Sequence, residues 1–564
     1  MLGRRFCAPP TTMATPLEPG AVLWDDEIRP YRIHVSSKYL DRTRQKLELT
    51  RLPHETSGST SRDWWEPKAQ IEPLIDFWLE KYDWRQQEAG FNDQLPQFRT
   101  AVTVPGSETS VRLHFVHVRS PHEHAVPLLL VPPFPFANLS LGHLIRPLAE
   151  PEHPGEQQPF HVVIPSLPGL GFSDALPGNT PVVPATADIL DLVMSRLSYK
   201  HYLVSNTSSA ASSPAGIDWR LANHLAMYRS GSCLGAHFIN PLLSAPTLKE
   251  APLEWMKWSI AKLFRAPVFG YHSEDMRSLD RAESAPGCSV SPASPGGPAS
   301  VVVEPNTPSY ALCDSPVGLL ALVLKAVRLL GVQKDFSEAD IITFTQIAWL
   351  PGPEAAMRLW AHCLTHQEKP LPRPAKKPDV AITVFSGPAG AADVEAQSTS
   401  PRAAPVPYAC PAWANVSYNA VHVRRVPGSP GLVAWDRPEI IGEGVRGLAR
   451  GLLSSPGGGG LGGGSRERPG TAPLREVVVV VAPPNSAPGG GPSPQPQPQS
   501  PRTATAPAAA QGEATWRLER IRESSETLSK PRPDDRARAG PDADFDGASP
   551  DTIVVTPPLN EGLR

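Results

Sequence analysis

Two hydrophobic periods divide the chain. Ile71, Leu74, Ile75, Trp78 and Tyr82 recur at i, i+3, i+4, i+7 and i+11, which is one face of a helix. Ser36 or Ser37 can cap an earlier helix carrying Leu40 and Leu47. Further on the period shortens. Val111, Leu113 and Phe115 alternate as a half-buried strand, and Leu128 to Val131 and Val162 to Ile164 are apolar runs bounded by proline, as buried parallel strands tend to be. Leu190, Val193, Met194 and Leu197 form a helical face with Thr186 as its cap. Tyr202 to Val204, Val380 to Phe385 and Ala420 to Val426 read as strands, and Ile441, Val445, Leu448 and Leu452 as a last helix. Helices first, then strands alternating with helices, predict an α/β fold with a mostly parallel sheet covered on both faces.

Composition limits where this pattern can apply. Of 564 residues, 68 are proline and 43 glycine, far above what a compact chain carries. Much of the excess follows Ser454, where glycine and proline tracts cannot bury enough apolar area to offset chain entropy. Residues 454–564 therefore read as a disordered tail able to recruit other proteins, and residues 1–25 as a disordered lead. Within the tail, Val477 to Val481 are either an edge strand or an aggregation hazard. Two further biased segments, 205–214 and 284–300, interrupt the ordered body.

Charge and cysteine usage exclude several classes. Lys plus Arg number 53 against 56 Asp plus Glu, a net charge of −3, which argues against a broadly basic nucleic-acid binder and gives no electrostatic reason to expect a membrane surface. No apolar run is long enough for a membrane span. The six cysteines are scattered without a C-x-x-C pair, so neither a zinc ribbon nor a dithiol site is readable. No H-E-x-x-H, P-loop or dinucleotide fingerprint is present. The N-terminus has two arginines but no apolar stretch behind them, so the expectation is a reduced, cytoplasmic protein.

Ligands of such a sheet bind beyond the carboxyl ends of the strands. Three strand ends carry chemistry: Pro132-Pro133-Phe134-Pro135, the segment PSLPGLGFSD at 165–174, and Ala215-Gly216-Ile217-Asp218-Trp219-Arg220 leading into a helix. The last reads in two ways. Asp218 is either an ordinary acidic residue in a first helical turn or a carboxylate lifted above the sheet on a strand-to-helix elbow. In the second case it could open an epoxide or displace a halide, forming an ester that water then hydrolyses.

The surrounding segments resemble the epoxide hydrolases of microsomal and fungal type. IRPYRIHVSSKYLDRTRQKLELTRLPHE through WLEKYDWRQQEAGFNDQLPQF at 28–98 is similar to their N-terminal domain. LHFVHVRS at 113–120, PLLLVPPFP at 127–135, FHVVIPSLPGLGFSD at 160–174, GIDWRLANHLA at 216–226, PNTPSYALCDSPVGLLA at 305–321 and PGLVAWDRPEII at 430–441 follow that family's order. The resemblance implies an α/β-hydrolase fold, with an N-terminal epoxide-hydrolase domain at 26–120 and a hydrolase domain at 121–453 whose helical lid covers about 240–370. It implies hydrolysis of a small apolar epoxide to a diol without metal or cofactor, with a homodimer as the expected assembly.

Residue by residue, the resemblance implies Asp218 as nucleophile, the backbone N–H groups of Phe134 and Trp219 as oxyanion donors, Tyr271 as lid proton donor and Asp393 (or Glu395) as supporting acid. Four sites, five residues in all, depart from the family pattern. Pro132 and its neighbour Pro133 replace the histidine and glycine of H-G-x-P, Arg220 replaces a small residue after the elbow, Trp360 replaces a lid tyrosine, and Gly431 stands at the place of the base histidine. No histidine follows His422, itself expected inside a strand. A large Arg220 side chain in a tight elbow is expected to be strained. Without a base the ester would hydrolyse slowly, so the resemblance leaves two readings: an impaired epoxide hydrolase, or a binding and scaffold protein on the same fold.

Overall fold

The computed structural model describes residues 27–54, 67–104, 107, 109–178, 180–210, 213–284, 304–329, 336–365, 374, 376–387 and 408–454. The expectations for the tail, for Val477 to Val481, for most of 284–300, and for Asp393 and Glu395 lie outside these residues.

Among the described residues nine strands form one sheet: β1 (Arg29–Pro30), β2 (Gln97–Thr103), β3 (Ser110–Val118), β4 (Val126–Val131), β5 (Phe160–Pro165), β6 (Tyr202–Asn206), β7 (Cys233–Ile239), β8 (Asp379–Phe385) and β9 (Asn419–Val426). Their order is β1-β2-β3-β5-β4-β6-β7-β8-β9. The first three are antiparallel, β3 also pairs antiparallel with β5, and all later pairings are parallel. The β4 run shows why the interior strands are almost wholly apolar. Leu128 and Leu130 enter the core on one face of the sheet while Leu129 and Val131 enter the core on the other, so no position is left for a polar side chain.

The helices of the N-terminal part are α1 (Ser37–Glu48), α2 (Lys68–Glu80) and α3 (Trp84–Gln94). Between strands come α4 (Ile145–Ala149), α5 (Val182–Arg196) and α6 (Ile217–Tyr228). The long excursion between β7 and β8 holds α7 (Pro252–Phe264), α8 (Ser273–Ser284), α9 (Asn306–Asp314), α10 (Pro316–Leu329), α11 (Glu338–Trp349) and α12 (Glu354–Thr365). After β9 follow α13 (Val433–Asp436) and α14 (Pro438–Ser454). Helices α5 and α6 cover one face of the sheet, and α4 and α14 the other. The expected face Ile71, Leu74 and Trp78 is buried, but against Val317, Leu320, Ile341 and Ile342 of α10 and α11. The N-terminal helices therefore brace the excursion as well as the sheet.

One detail differs from the sequence pattern. Thr186 is not a cap: α5 begins at Val182 after Pro181, which is pre-set for a chain entering a helix, and Thr186 is buried inside it. Tyr310, inside the segment 305–321 that resembles part of the family pattern, is exposed on α9. His422 does lie within β9, half-buried, against α14. A Cβ on Gly447 of α14 would overlap its ring, and one on Gly444 would overlap the ring of His237 in β7. These two glycines let the helix lie directly on imidazoles that fill the sheet surface.

Candidate functional site

The site is built at the carboxyl ends of β4 and β6. Beyond Asn206 the chain stays inside the protein: Thr207, Ser208, Ser209 and Ala210 are all buried. Thr207 Oγ1 donates to the Val131 carbonyl at 2.7 Å, tying this segment to the end of β4. After Pro214 the backbone turns left-handed at Ala215 (φ 53°) and Gly216 (φ 58°), and α6 starts at Ile217. Glycine suits the second of these positions, since a Cβ on Gly216 would also press within 3.3 Å of the Ala210 carbonyl.

Asp218 lies in the first turn of α6 and is fully buried. Ser208 donates to its Oδ2 twice, from the backbone N at 3.2 Å and from Oγ at 2.5 Å. Burial pushes its carboxyl up to about 6, while the hydrogen bonds from Ser208 and from the Trp219 backbone pull the other way. The Trp219 N–H is one of the free amides of a first helical turn. Oδ1 of Asp218 is buried without a partner. The serine-rich segment was readable in the sequence only as an interruption, yet it supplies both donors to Oδ2.

Arg220 is not strained. The left-handed residues precede α6, so position 220 is ordinary helix, and its Nη1 donates to the Cys363 carbonyl of α12 at 2.8 Å. This bond holds α12 over the start of α6. Trp360, on the same helix, lies with its ring 6.2 Å from that of Phe134. Phe134 is buried and its bond to Pro135 is cis. Tyr271 is buried beside Trp258 (5.3 Å between rings), which in turn meets Trp413 at 5.4 Å. Burial pushes the Tyr271 hydroxyl well above its ordinary range.

These groups share one apolar cluster on the α5–α6 face. On residues of this cluster Trp219 Nε1, Tyr271 Oη, Trp360 Nε1 and Trp413 Nε1 are buried without hydrogen-bond partners, as is Asp218 Oδ1 on α6. Unsatisfied buried polar atoms are rare and costly, and several in one apolar cluster are what a ligand-binding lining provides. Two surface cavities, of about 390 and 490 Å³, are lined by residues such as Arg119 and Tyr199, and Gln158 and Arg446, and involve none of these groups.

At the ends of β8 and β9, helix α8 is bonded to the strand ends. Asp275, fully buried, accepts from Arg425 Nε and Nη2 (2.9 Å each), from Tyr408 Oη (2.5 Å) and from the His272 N–H (2.8 Å). Ser278 Oγ and Arg281 Nη2 donate to the Ser386 carbonyl just past β8. Gly431 is buried in left-handed backbone (φ 60°) in the loop after β9. The imidazole His237 sits on the opposite face of the sheet, between Ser205 Oγ (3.0 Å) and Thr383 Oγ1 (2.9 Å), and burial pushes it down to about 3. Among the described residues no cluster of His, Cys, Asp or Glu could hold a metal ion.

Comparison with known proteins agrees with this architecture. Residues 28–141 match the family model "Epoxide hydrolase N terminus". A putative epoxide hydrolase of Stigmatella aurantiaca is 30% identical over 305 residues, covering 52% of this chain and 59% of the relative's length. Epoxide hydrolase 1 of Oryctolagus cuniculus is 24% identical over 352 residues, covering 58% of this chain and 71% of the relative. Among solved structures, Aspergillus niger epoxide hydrolase superposes with a TM-score of 0.55 at 19% identity, over 75% of this chain and 96% of that one. The juvenile hormone epoxide hydrolase of Bombyx mori gives 0.58 at 18% identity, over 76% and 96%. The chain thus carries an epoxide-hydrolase N-terminal domain at residues 28–141, spans 59% of the length of the relative it matches at 30% identity, and is similar to epoxide hydrolases in sequence and in its α/β-hydrolase fold.

Proposed function

We propose that this chain reacts with small apolar epoxides through Asp218 and releases product slowly. Oδ1 of Asp218 attacks an epoxide carbon, the C–O bond opens, and the alkoxide oxygen takes a proton from Tyr271 Oη. The product of that step is an ester on Asp218. Trp360 offers only an indole N–H, a hydrogen-bond donor and no practical acid. Water must then cleave the ester, and the residue at the base position, Gly431, has no side chain to activate it. The observation that carries the reading is a fully buried carboxylate with one oxygen held by Ser208 and the other without a partner, on a helix whose Ile217 and Leu221 pack into the apolar cluster that also holds Tyr271 and Trp360. General-base assistance contributes about 100- to 10,000-fold, so turnover is expected to lag ester formation by that order.

Incubation with styrene oxide, followed by intact-mass and peptide analysis, tests this. The expected result is one added epoxide mass on the peptide containing Asp218 and only a trace of diol. Absence of both adduct and diol, or an unchanged adduct yield in Asp218→Asn, would overturn it. A second reading, a binding module without chemistry, is favoured by the same hydroxyl. Ser208 ties up Oδ2 and the whole carboxylate is shielded, an arrangement that serves packing as well as reaction.

A further inference from the structure

Twelve large apolar side chains stand exposed among the described residues, and eight of them fall between Leu242 and Phe269. Most of this surface belongs to α7. Leu253, Met256, Ile260, Leu263 and Phe264 are spaced i, i+3, i+7, i+10 and i+11, so they share one side of the helix. Ala261 is buried on the other side, where Trp258 packs into the core. The helix is thus apolar on two sides and only one is covered. Leu263 and Phe264 are 77% and 70% exposed. Past the helix end, Arg265 and Phe269 adopt left-handed backbone (φ 47° and 57°), and Phe269 is 55% exposed. Side chains of this kind hold such conformations only where the surrounding structure imposes them.

The charge around this face is cationic although the chain as a whole is at −3. Residues 249–265 carry Lys249, Lys257, Lys262 and Arg265 against Glu250 and Glu254. Glu254 accepts from Lys257 at 2.8 Å, Arg265 stands 3.5 Å from Asp280, and Lys262 lies over the Trp258 ring at 5.7 Å. A single convex helix with protruding Leu and Phe and a lysine border is the arrangement of an interfacial helix, not of a groove that receives a peptide. It is also not a span. No single described helix is long and apolar enough to cross a membrane, and the one pair that meets the criterion together, Asn306–Asp314 with Pro316–Val327, bends by 115°.

We propose that α7 and the turn after it dock on a bilayer surface containing anionic lipid. Leu263, Phe264 and Phe269 enter the headgroup boundary and the lysines stay at the level of the phosphates. The inference is independent of the Asp218 chemistry and needs no activity to test. The full chain is floated with vesicles of phosphatidylcholine alone or with about 30% phosphatidylserine. Flotation is expected with the anionic vesicles, declining as salt screens the attraction. The variant L263S/F264S is expected to lose about tenfold or more of the bound fraction at an unchanged melting temperature. K257Q/K262Q should lose only the preference for anionic vesicles. Failure of the wild type to float, or equal flotation of L263S/F264S, overturns the proposal. So does a lipid-free dimer that L263S/F264S converts to monomer, which would assign the face to a second copy.

Discussion

Asp218 is a fully buried carboxyl, and the sign of its effect on stability can be worked out. Its carboxyl gives up a proton near 3.8 in an open chain and near 6 in the folded one. Between those values the folded protein binds more protons, so stability falls as pH rises from about 4 to about 6 and stays lowered above. The difference corresponds to at most ~3 kcal/mol. Asp218→Asn removes the charge and keeps the shape, so it is expected to be more stable than wild type at pH 7.5 and nearly equal at pH 4. Urea unfolding at the two pH values measures this, and a variant less stable at pH 7.5 would mean that Ser208 more than offsets burial. Asp218 was legible from GIDWR at a helix start. Its partner was not, because serines in a biased tract carry no signature and only the fold brings positions 208 and 218 together. Arg220 misled for a related reason: the tract moves the tight turn ahead of the helix, away from position 220.

Helix α8 acts at the next scale, as a clamp on the ends of β8 and β9. Its Asp275 is a buried charge satisfied by Arg425, Tyr408 and a backbone amide. Asp275→Ala leaves the Arg425 guanidinium, only 12% exposed, without its counter-ion. Breaking a buried pair this way costs about 3–5 kcal/mol, whereas replacing both partners with apolar residues of similar size is often near neutral. Denaturant unfolding is therefore expected to show a large loss for D275A and a much smaller one for D275L/R425M. A loss below about 1 kcal/mol for D275A would place the pair in solvent-like surroundings. None of this was visible in the sequence, because residues 275, 408 and 425 come together only through tertiary packing. The strands were visible wherever an apolar run marked them, as at 128–131 and 162–164. Strand β7, CLGAHFI, escaped because His237 and Gly235 break the run, although both are buried against neighbouring elements.

Across the whole molecule, the sheet is held by imidazoles that must stay neutral. His114 in β3 binds Gln97 and burial pushes it down to about 3. His117 in the same strand binds Tyr199 and is pushed to about 4, and His237 in β7 is pushed to about 3. In an unfolded chain each would protonate near 6.5. Below that pH the unfolded state takes up protons that the folded state refuses, so the stability these groups contribute is complete above 6.5 and lost as pH falls toward 4 and 3. Each imidazole contributes a slope of ~1.4 kcal/mol per pH unit in that window. Asp218 opposes them with one proton between about 6 and 4, and three sites outweigh one. Because His114 and His237 are in strands on either side of the β4–β5 pair, their protonation acts on the sheet as a unit and not on a fraying edge. The denaturation midpoint is thus expected to drop steadily from pH 7 to pH 4.5, more steeply in Asp218→Asn than in wild type. A midpoint that held constant or rose over that range would show that these imidazoles accept protons inside the fold, and their hydrogen bonds with Gln97, Tyr199 and Thr383 would then have to be reassigned.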